Sequence, residues 1–195
     1  LTAFGRDPQL TTLTDADTLA KALTQRLESE ARQAFGRRPH PAVRIQLLQL
    51  ERRLEHFAAH QARRAAEGWR VMTELTERQL GPEAAWLEVD GQPFYLRGRI
   101  DRIDYHPDTD RYAVLDYKTG DTGKTPDETH RKGRGKDKSW IDLQLPLYRH
   151  LARSMGVSGE VELGYALLPK EAQKAGFAPA YWSDQELRAA DEAAA

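Results

Sequence analysis

Two runs of alternating side chains, joined by a turn-rich segment, constrain this chain more than any other feature. Residues 98–105 and 111–118 both read as strands: Tyr112, Val114, Asp116 and Lys118 alternate with Ala113, Leu115 and Tyr117 at the two-residue period of a pleated backbone. Between them, His106-Pro107-Asp108-Thr109-Asp110 is rich in turn-forming residues. A symmetric hairpin closing over Pro107–Asp110 sets Asp101 opposite Asp116 and Arg99 opposite Lys118. Side chains directly opposite share a face with Cβ atoms about 5 Å apart. This register therefore gathers Asp101, Asp116 and Lys118 and sends Asp104 to the other face. A slip of one residue would scatter the group.

Two close carboxylates repel unless a cation lies between them or one takes a proton. With no cysteine in the chain and oxygen donors on offer, the expected ion is Mg²⁺, with Mn²⁺ as a substitute. Lys118 would set an ammonium beside it, to hold an attacking water or offset charge on a phosphoryl oxygen. The plain alternative is a surface hairpin with an ordinary Asp–Lys ion pair, and residues further along weigh against it. Gln144 and Tyr148 stand at i and i+4, on one face of a helix. Trp140, Leu143, Leu147 and Leu151 give that helix its apolar stripe, with Ser139 as N-cap. Pro146 fits only its first turns or a kink. An amide and a phenol facing the site would orient water or grip a phosphate; the alternative is that both merely pack or cap.

These residues resemble a known pattern. Gly98-Arg99-Ile100-Asp101, Leu115-Asp116-Tyr117-Lys118-Thr119-Gly120 and Gln144-Leu145-Pro146-Leu147-Tyr148 occur in the order seen in the RecB-like branch of the PD-(D/E)XK nuclease superfamily, including AddB C-terminal-type exonuclease domains. The likeness covers roughly residues 69–168. It implies an α/β (α+β mixed) fold, a central mixed β-sheet flanked by helices with a restriction-endonuclease-like core. It also implies Mg²⁺-dependent hydrolysis of DNA phosphodiesters in repair or recombination, as an exonuclease. By that likeness Asp101 and Asp116 bind metal with the backbone carbonyl of Tyr117, Lys118 is catalytic, and Gln144 and Tyr148 are the accessory pair. Many relatives carry a histidine or glutamate ligand on an early helix, and no such element is evident here. His40, His56, His60 and Glu74 are substitutes by residue type alone, each better read as structural or solvated. Relatives with an iron–sulfur cluster hold it through cysteines, so none is expected. A catalytically silent nuclease-like module binding DNA or a partner subunit is the alternative. Such modules usually lose an acid or the lysine, and here all three stand.

Lys and Arg total 29 against 30 Asp and Glu, a net charge of −1, so any grip on DNA must be local. Arg131, Lys132, Arg134, Lys136 and Lys138 cluster inside residues 120–138, a glycine-rich stretch read as a long loop. Their expected role is a clamp tracking phosphates; the alternative is a solvated insert. An open basic loop also fits a long polyanion better than a small phosphorylated metabolite. The absence of cysteine fits a cytoplasmic setting, and there is no apolar run of membrane-spanning length and no visible signal peptide. There is no Walker-type loop, Gly-x-Ser-x-Gly motif or zinc-spaced histidine cluster. A helicase motor is therefore expected elsewhere in a larger parent protein or in a partner, an expectation that Leu1 and the terminal alanines share.

Upstream, Leu19, Leu23, Leu27, Ala31 and Phe35 show helical spacing, capped by Thr14 or Asp15 and ended by Gly36. Val43, Leu47, Leu50, Leu54 and Phe57 mark a second helix ending before Gly68. Residues 1–68 are thus expected to form an N-terminal helical hairpin packing on a nuclease core of residues 69–195. In that core a strand is expected over residues 69–80 and an Asp90-Gly91 hairpin between Trp86 and Leu96. A late strand is expected over residues 161–167, and a Ser183…Glu186 capping box opens a last helix. Trp69, Trp86, Trp140 and Trp182 read as packing residues.

Overall fold

A computed structural model describes residues 1–81, 83–89, 91–133, 135 and 138–194. Short helices α1 (Thr2–Gly5) and α2 (Pro8–Thr11) precede the long hairpin of α3 (Ala16–Phe35) and α4 (Pro41–Ala66). Asp15 caps α3 by accepting the Thr18 N–H at 2.8 Å, and Gly36 closes it at φ 74°, a conformation that glycine adopts without Cβ strain. Pro41 opens α4, where a missing N–H costs nothing.

The strands are β1 (Arg70–Val71), β2 (Arg78–Gln79), β3 (Ala85–Val89), β4 (Gln92–Leu96), β5 (Arg99–Ile100), β6 (Arg102–His106), β7 (Arg111–Lys118), β8 (Arg131–Lys132), β9 (Ser139–Trp140), β10 (Glu160–Leu167) and β11 (Gly176–Pro179). Helices α5 (Pro126–His130), α6 (Gln144–Ser154) and α7 (Asp184–Ala194) lie among and after them. Five strands form the central sheet in the order β1-β6-β7-β10-β11, with β7 and β10 parallel and the other pairs antiparallel. This is the expected mixed α/β architecture, a central mixed sheet flanked by helices, consistent with a restriction-endonuclease-like core.

The sheet buries both faces. On one, Ile103, Val114, Leu163, Tyr165 and Leu167 pack with Leu145, Tyr148, Leu151 and Ala152 of α6. On the other, Tyr117 and Phe177 meet Phe57 and Ala58 of α4, with Phe4, Leu19 and Leu23 behind them. Asp104 points to this second face, as the hairpin reading requires. There it is fully buried and accepts hydrogen bonds from Arg102 Nε (2.6 Å), Arg102 Nη2 (2.9 Å) and Arg64 Nε (2.8 Å). Burial alone would lower the Arg102 pKa, but Asp104 more than offsets that and holds it above the ordinary guanidinium value. This network ties α4 to the sheet.

Four local expectations need correction. The strand expected over residues 69–80 is broken into β1, a 3₁₀ turn (Thr73–Leu75) and β2. Residues 120–138 are not one long loop: Thr125 and Glu128 form a capping box that starts α5, and β8 pairs with β9. Ser139 and Trp140 lie in β9, not in the helix; α6 begins at Gln144, whose N–H donates to Asp142 Oδ1 at 2.8 Å. Pro146 accordingly sits in its first turn. Trp86 is 53% exposed, opposite Tyr95 on the β3–β4 ribbon, because its neighbours Ala85 and Leu87 take the buried face. Asp90, half of the expected turn signal there, lies outside the described residues.

Candidate active site

The β6–β7 ladder runs from His106↔Arg111 to Arg102↔Leu115, which is the register read from a symmetric turn over Pro107–Asp110. One step beyond, at Asp101, the backbone bends and the ladder stops. Asp101 Oδ2 accepts the Tyr117 N–H at 3.0 Å, so a carboxylate takes the donor that a regular ladder would give to a carbonyl. The bend turns β5 away to pair with β2, as Arg99↔Gln79 and Ile100↔Arg78. Arg99 therefore does not face Lys118; its guanidinium lies 3.4 Å from Glu77.

Asp116 is nearly buried, and Lys118 Nζ lies 2.7 Å from its Oδ2. Desolvation pushes the Asp101 carboxyl above its usual range, its bond from Tyr117 pulls it down, and the Asp116 charge pushes it up again. The two carboxylates thus feel one another. Tyr148, one turn along α6 from Gln144, receives a hydrogen bond from Gln144 Nε2 at 2.6 Å. Burial, then the Asp116 charge, pushes its phenol up to about 12. That phenol stays protonated and can only donate or accept hydrogen bonds. Gly98 explains how α6 comes so close: a Cβ there would lie 2.7 Å from Leu151 Cδ1 and 4.0 Å from Tyr148 Cε1. The glycine of the Gly98-Arg99-Ile100-Asp101 run lets the helix bearing Tyr148 approach the strand leading to Asp101.

Asp101, Asp116, Lys118, Gln144 and Tyr148 are thereby brought together where β7 ends and α6 begins. Tyr117, whose N–H meets Asp101, stands between Asp116 and Lys118 on β7, and its main-chain carbonyl is the further oxygen donor that the sequence reading named. Two carboxylates and a carbonyl are the donor types that a hard divalent cation takes; burial is the main cause that raises the Asp101 pKa, and the part contributed by the Asp116 charge is what a cation there would relieve. The residues fit such an ion. Among the described residues, no three His, Asp or Glu side chains converge as a donor set.

The model of the PD-(D/E)XK nuclease superfamily matches residues 2–195. The chain belongs to that superfamily. A search of curated proteins finds no match. The superfamily match includes the helical hairpin as well as the sheet, and α4 reaches the site itself. Arg53 donates to Thr119 O at 2.6 Å and to Asp121 Oδ1 at 2.7 Å, pinning the turn that follows Lys118.

The histidines and acid weighed as a further ligand of this nuclease-superfamily site lie in other roles. His40 caps α4 through Nδ1, 3.3 Å from the Ala42 N–H. His56 is exposed, His60 packs beneath Gly176, and Glu74 is exposed with the Thr73 hydroxyl 3.5 Å away. Glu77, which the sequence reading did not single out, is closer to the chemistry. Its N–H donates to Asp101 O at 3.3 Å and its charge helps raise the Asp101 pKa. Its strained φ of 49° marks the spot, but no sequence pattern announces it. Of the basic segment, Arg131 is only 10% exposed, bonded to Glu186 and 3.6 Å from Asp127. Lys138 is paired with Asp127, and Lys132 is exposed on β8. Arg134 and Lys136 lie outside the described residues.

Proposed function

We propose that this chain is a metal-dependent nuclease domain of the RecB-like branch, hydrolysing DNA phosphodiesters as an exonuclease in repair or recombination. One observation carries the reading. The register of β6 and β7, and the approach of α6 that Gly98 permits, set two carboxylates, an ammonium, an amide and a phenol near one another where β7 ends and α6 begins. Asp101, Asp116 and the Tyr117 carbonyl would hold Mg²⁺, or Mn²⁺ in its place. When bound, that ion supplies positive charge to a phosphoryl oxygen and makes water a better nucleophile.

The side chains supply the rest. Lys118, 2.7 Å from Asp116, offers its ammonium to the attacking water or to the charge that builds on the phosphorus-bound oxygens. Tyr148 remains a neutral hydrogen-bonding phenol at any working pH. Gln144 fixes that phenol by its 2.6 Å bond and keeps its carbonyl oxygen to orient water. Lys132 and the remaining cations of residues 131–138 are proposed to contact the phosphate backbone, with Arg131 and Lys138 releasing their acidic partners to do so. Residues 1–68 and 69–195 are proposed as helical region and nuclease core of a larger protein acting with a helicase.

The test is degradation of labelled single- and double-stranded DNA with Mg²⁺ or Mn²⁺. Asp116→Ala and Lys118→Ala should each abolish the reaction while the far-UV circular dichroism stays unchanged. A wild-type chain that binds DNA without cleaving it would support the silent-module reading instead. Near-wild-type cleavage by either variant would refute the assigned roles.

A further inference from the structure

His130 is a buried group to which the nuclease reading gives no task. It ends α5 and is 1% exposed. Its Nδ1 lies 3.0 Å from both Asp142 Oδ1 and Asp142 O, while its Nε2 meets the Tyr165 hydroxyl. Trp182 stands edge-on to the imidazole at 5.6 Å and Trp140 edge-on to Trp182 at 4.8 Å, so the ring has little freedom. Tyr165 lies beside Asp116 in the parallel β7–β10 register. Lys118 Nζ sits 4.9 Å from the centroid of the Tyr165 ring.

The partners set the direction of the hydrogen bonds. Nδ1 faces two acceptors and therefore carries the proton, which leaves Nε2 with a lone pair for the Tyr165 O–H. A phenol that donates a hydrogen bond to a nitrogen base becomes richer in electron density, and its ring face attracts a cation more strongly. The Asp142 carboxylate at the far end accepts the Nδ1–H and so fixes the tautomer and orientation of the ring, as outer partners do for histidine in other sites. Asp142 Oδ1 also accepts the Gln144 N–H at 2.8 Å, so the same residue fixes the start of α6.

We propose that Asp142, His130 and Tyr165 form a positioning chain that presents the Tyr165 ring to Lys118 and sets its ammonium beside Asp116. The proposal rests on the reading of Lys118 as a working residue in cleavage. None of the three touches the phosphodiester; they act through Lys118. The segment between the two motif-bearing elements β7 and α6 supplies His130, from the stretch read from sequence as a loop, and Asp142, from the stretch read as the start of the helix.

Two measurements test this, and they fail separately. In metal-free protein labelled with ¹³C at the lysine ε-carbon, the Lys118 signal, identified by its loss in Lys118→Arg, should show ε-protons shifted upfield by the aromatic ring. The shift should vanish in Tyr165→Leu and shrink in His130→Gln, with Tyr165→Phe keeping part of it. No upfield shift, or one indifferent to His130→Gln, overturns the chain. In single-turnover DNA cleavage, Tyr165→Leu should be about tenfold slower at unchanged DNA affinity, with His130→Gln slowing the reaction less. A Tyr165→Leu enzyme that cleaves at the wild-type rate contradicts a role through Lys118. A Lys118→Ala enzyme at wild-type rate would instead sink the reading of Lys118 as a working residue, while the resonance shift still decides the geometry.

Discussion

Asp101 and Asp104 are three residues apart on one stretch of chain, and exchanging each for asparagine should separate function from stability. Asp104 is fully buried and serves as counterion to two guanidiniums through three short hydrogen bonds. An amide in its place carries no charge and turns an N–H₂ toward donors. Removing one partner of a buried ion pair costs about 3–5 kcal/mol. Two features act in opposite directions here. Both arginines lose their anion, but both keep aromatic faces: Arg64 Cζ lies 4.1 Å from the Trp69 ring and Arg102 Cζ 5.2 Å from the Phe177 ring. A loss of about 4 kcal/mol is the balance, which at this chain length lowers Tm by roughly 8–16 °C.

Asp101→Asn should behave in the opposite way. In the metal-free protein the Asp101 pKa is raised, chiefly by desolvation and then by Asp116, so ionising it costs stability. For an acid shifted upward, stability is gained as pH falls through the folded value and lost as pH rises through it. The asparagine variant escapes that loss and keeps an oxygen for the Tyr117 N–H, so its Tm with chelator at pH 7 should equal or exceed that of the wild type, while cleavage disappears. Scanning calorimetry in chelator with a matched DNA assay measures both. Asp104→Asn melting within about 3 °C of wild type, or Asp101→Asn falling as far as Asp104→Asn, would refute the reasoning.

Other expectations follow from the same contacts. Gly98→Leu should drive α6 outward, because even a Cβ there meets Leu151 Cδ1 at 2.7 Å; cleavage should fall further than the overpacking cost of about 1–3 kcal/mol lowers Tm, as read by paired rate and melting measurements. Tyr148→Phe should slow cleavage without changing the shape of the pH–rate profile, since the phenol ionises only near about 12; a lost alkaline limb would contradict this. Arg53→Ala should cost no more than about 1 kcal/mol, as its partner Asp121 is exposed, yet residues 119–121 should exchange amide hydrogen faster and cleavage should drop.

A symmetric turn over Pro107–Asp110 was enough to read the hairpin register, and the two-residue period then divides Asp101 from Asp104, because residues an odd number apart on a strand point to opposite faces. The caps at Asp15, Gly36 and Ser183 were legible for a similar reason: each is a local interaction among residues close in sequence. What escaped depends on distant packing. The bend at Asp101 follows from a side chain replacing a ladder acceptor, which composition does not reveal. Helix α6 starts at Gln144 because Asp142 is held by His130, a residue twelve positions upstream. Trp86 reads as core by type but lies on the outer face of a ribbon whose inner face is taken by Ala85, Leu87 and Leu96. Arg131 belongs to a basic run in sequence and to an ion pair with Glu186 in space; no local pattern links residues that far apart.

The central claim is that Asp101 and Asp116 jointly hold a divalent ion, with Lys118 alongside. Anomalous diffraction from crystals soaked in Mn²⁺ measures this directly. The account predicts a peak about 2.1 Å from carboxylate oxygens of both aspartates, next to the Tyr117 carbonyl. A fully loaded crystal with its manganese elsewhere, and the Asp116–Lys118 pair closed as before, would contradict it.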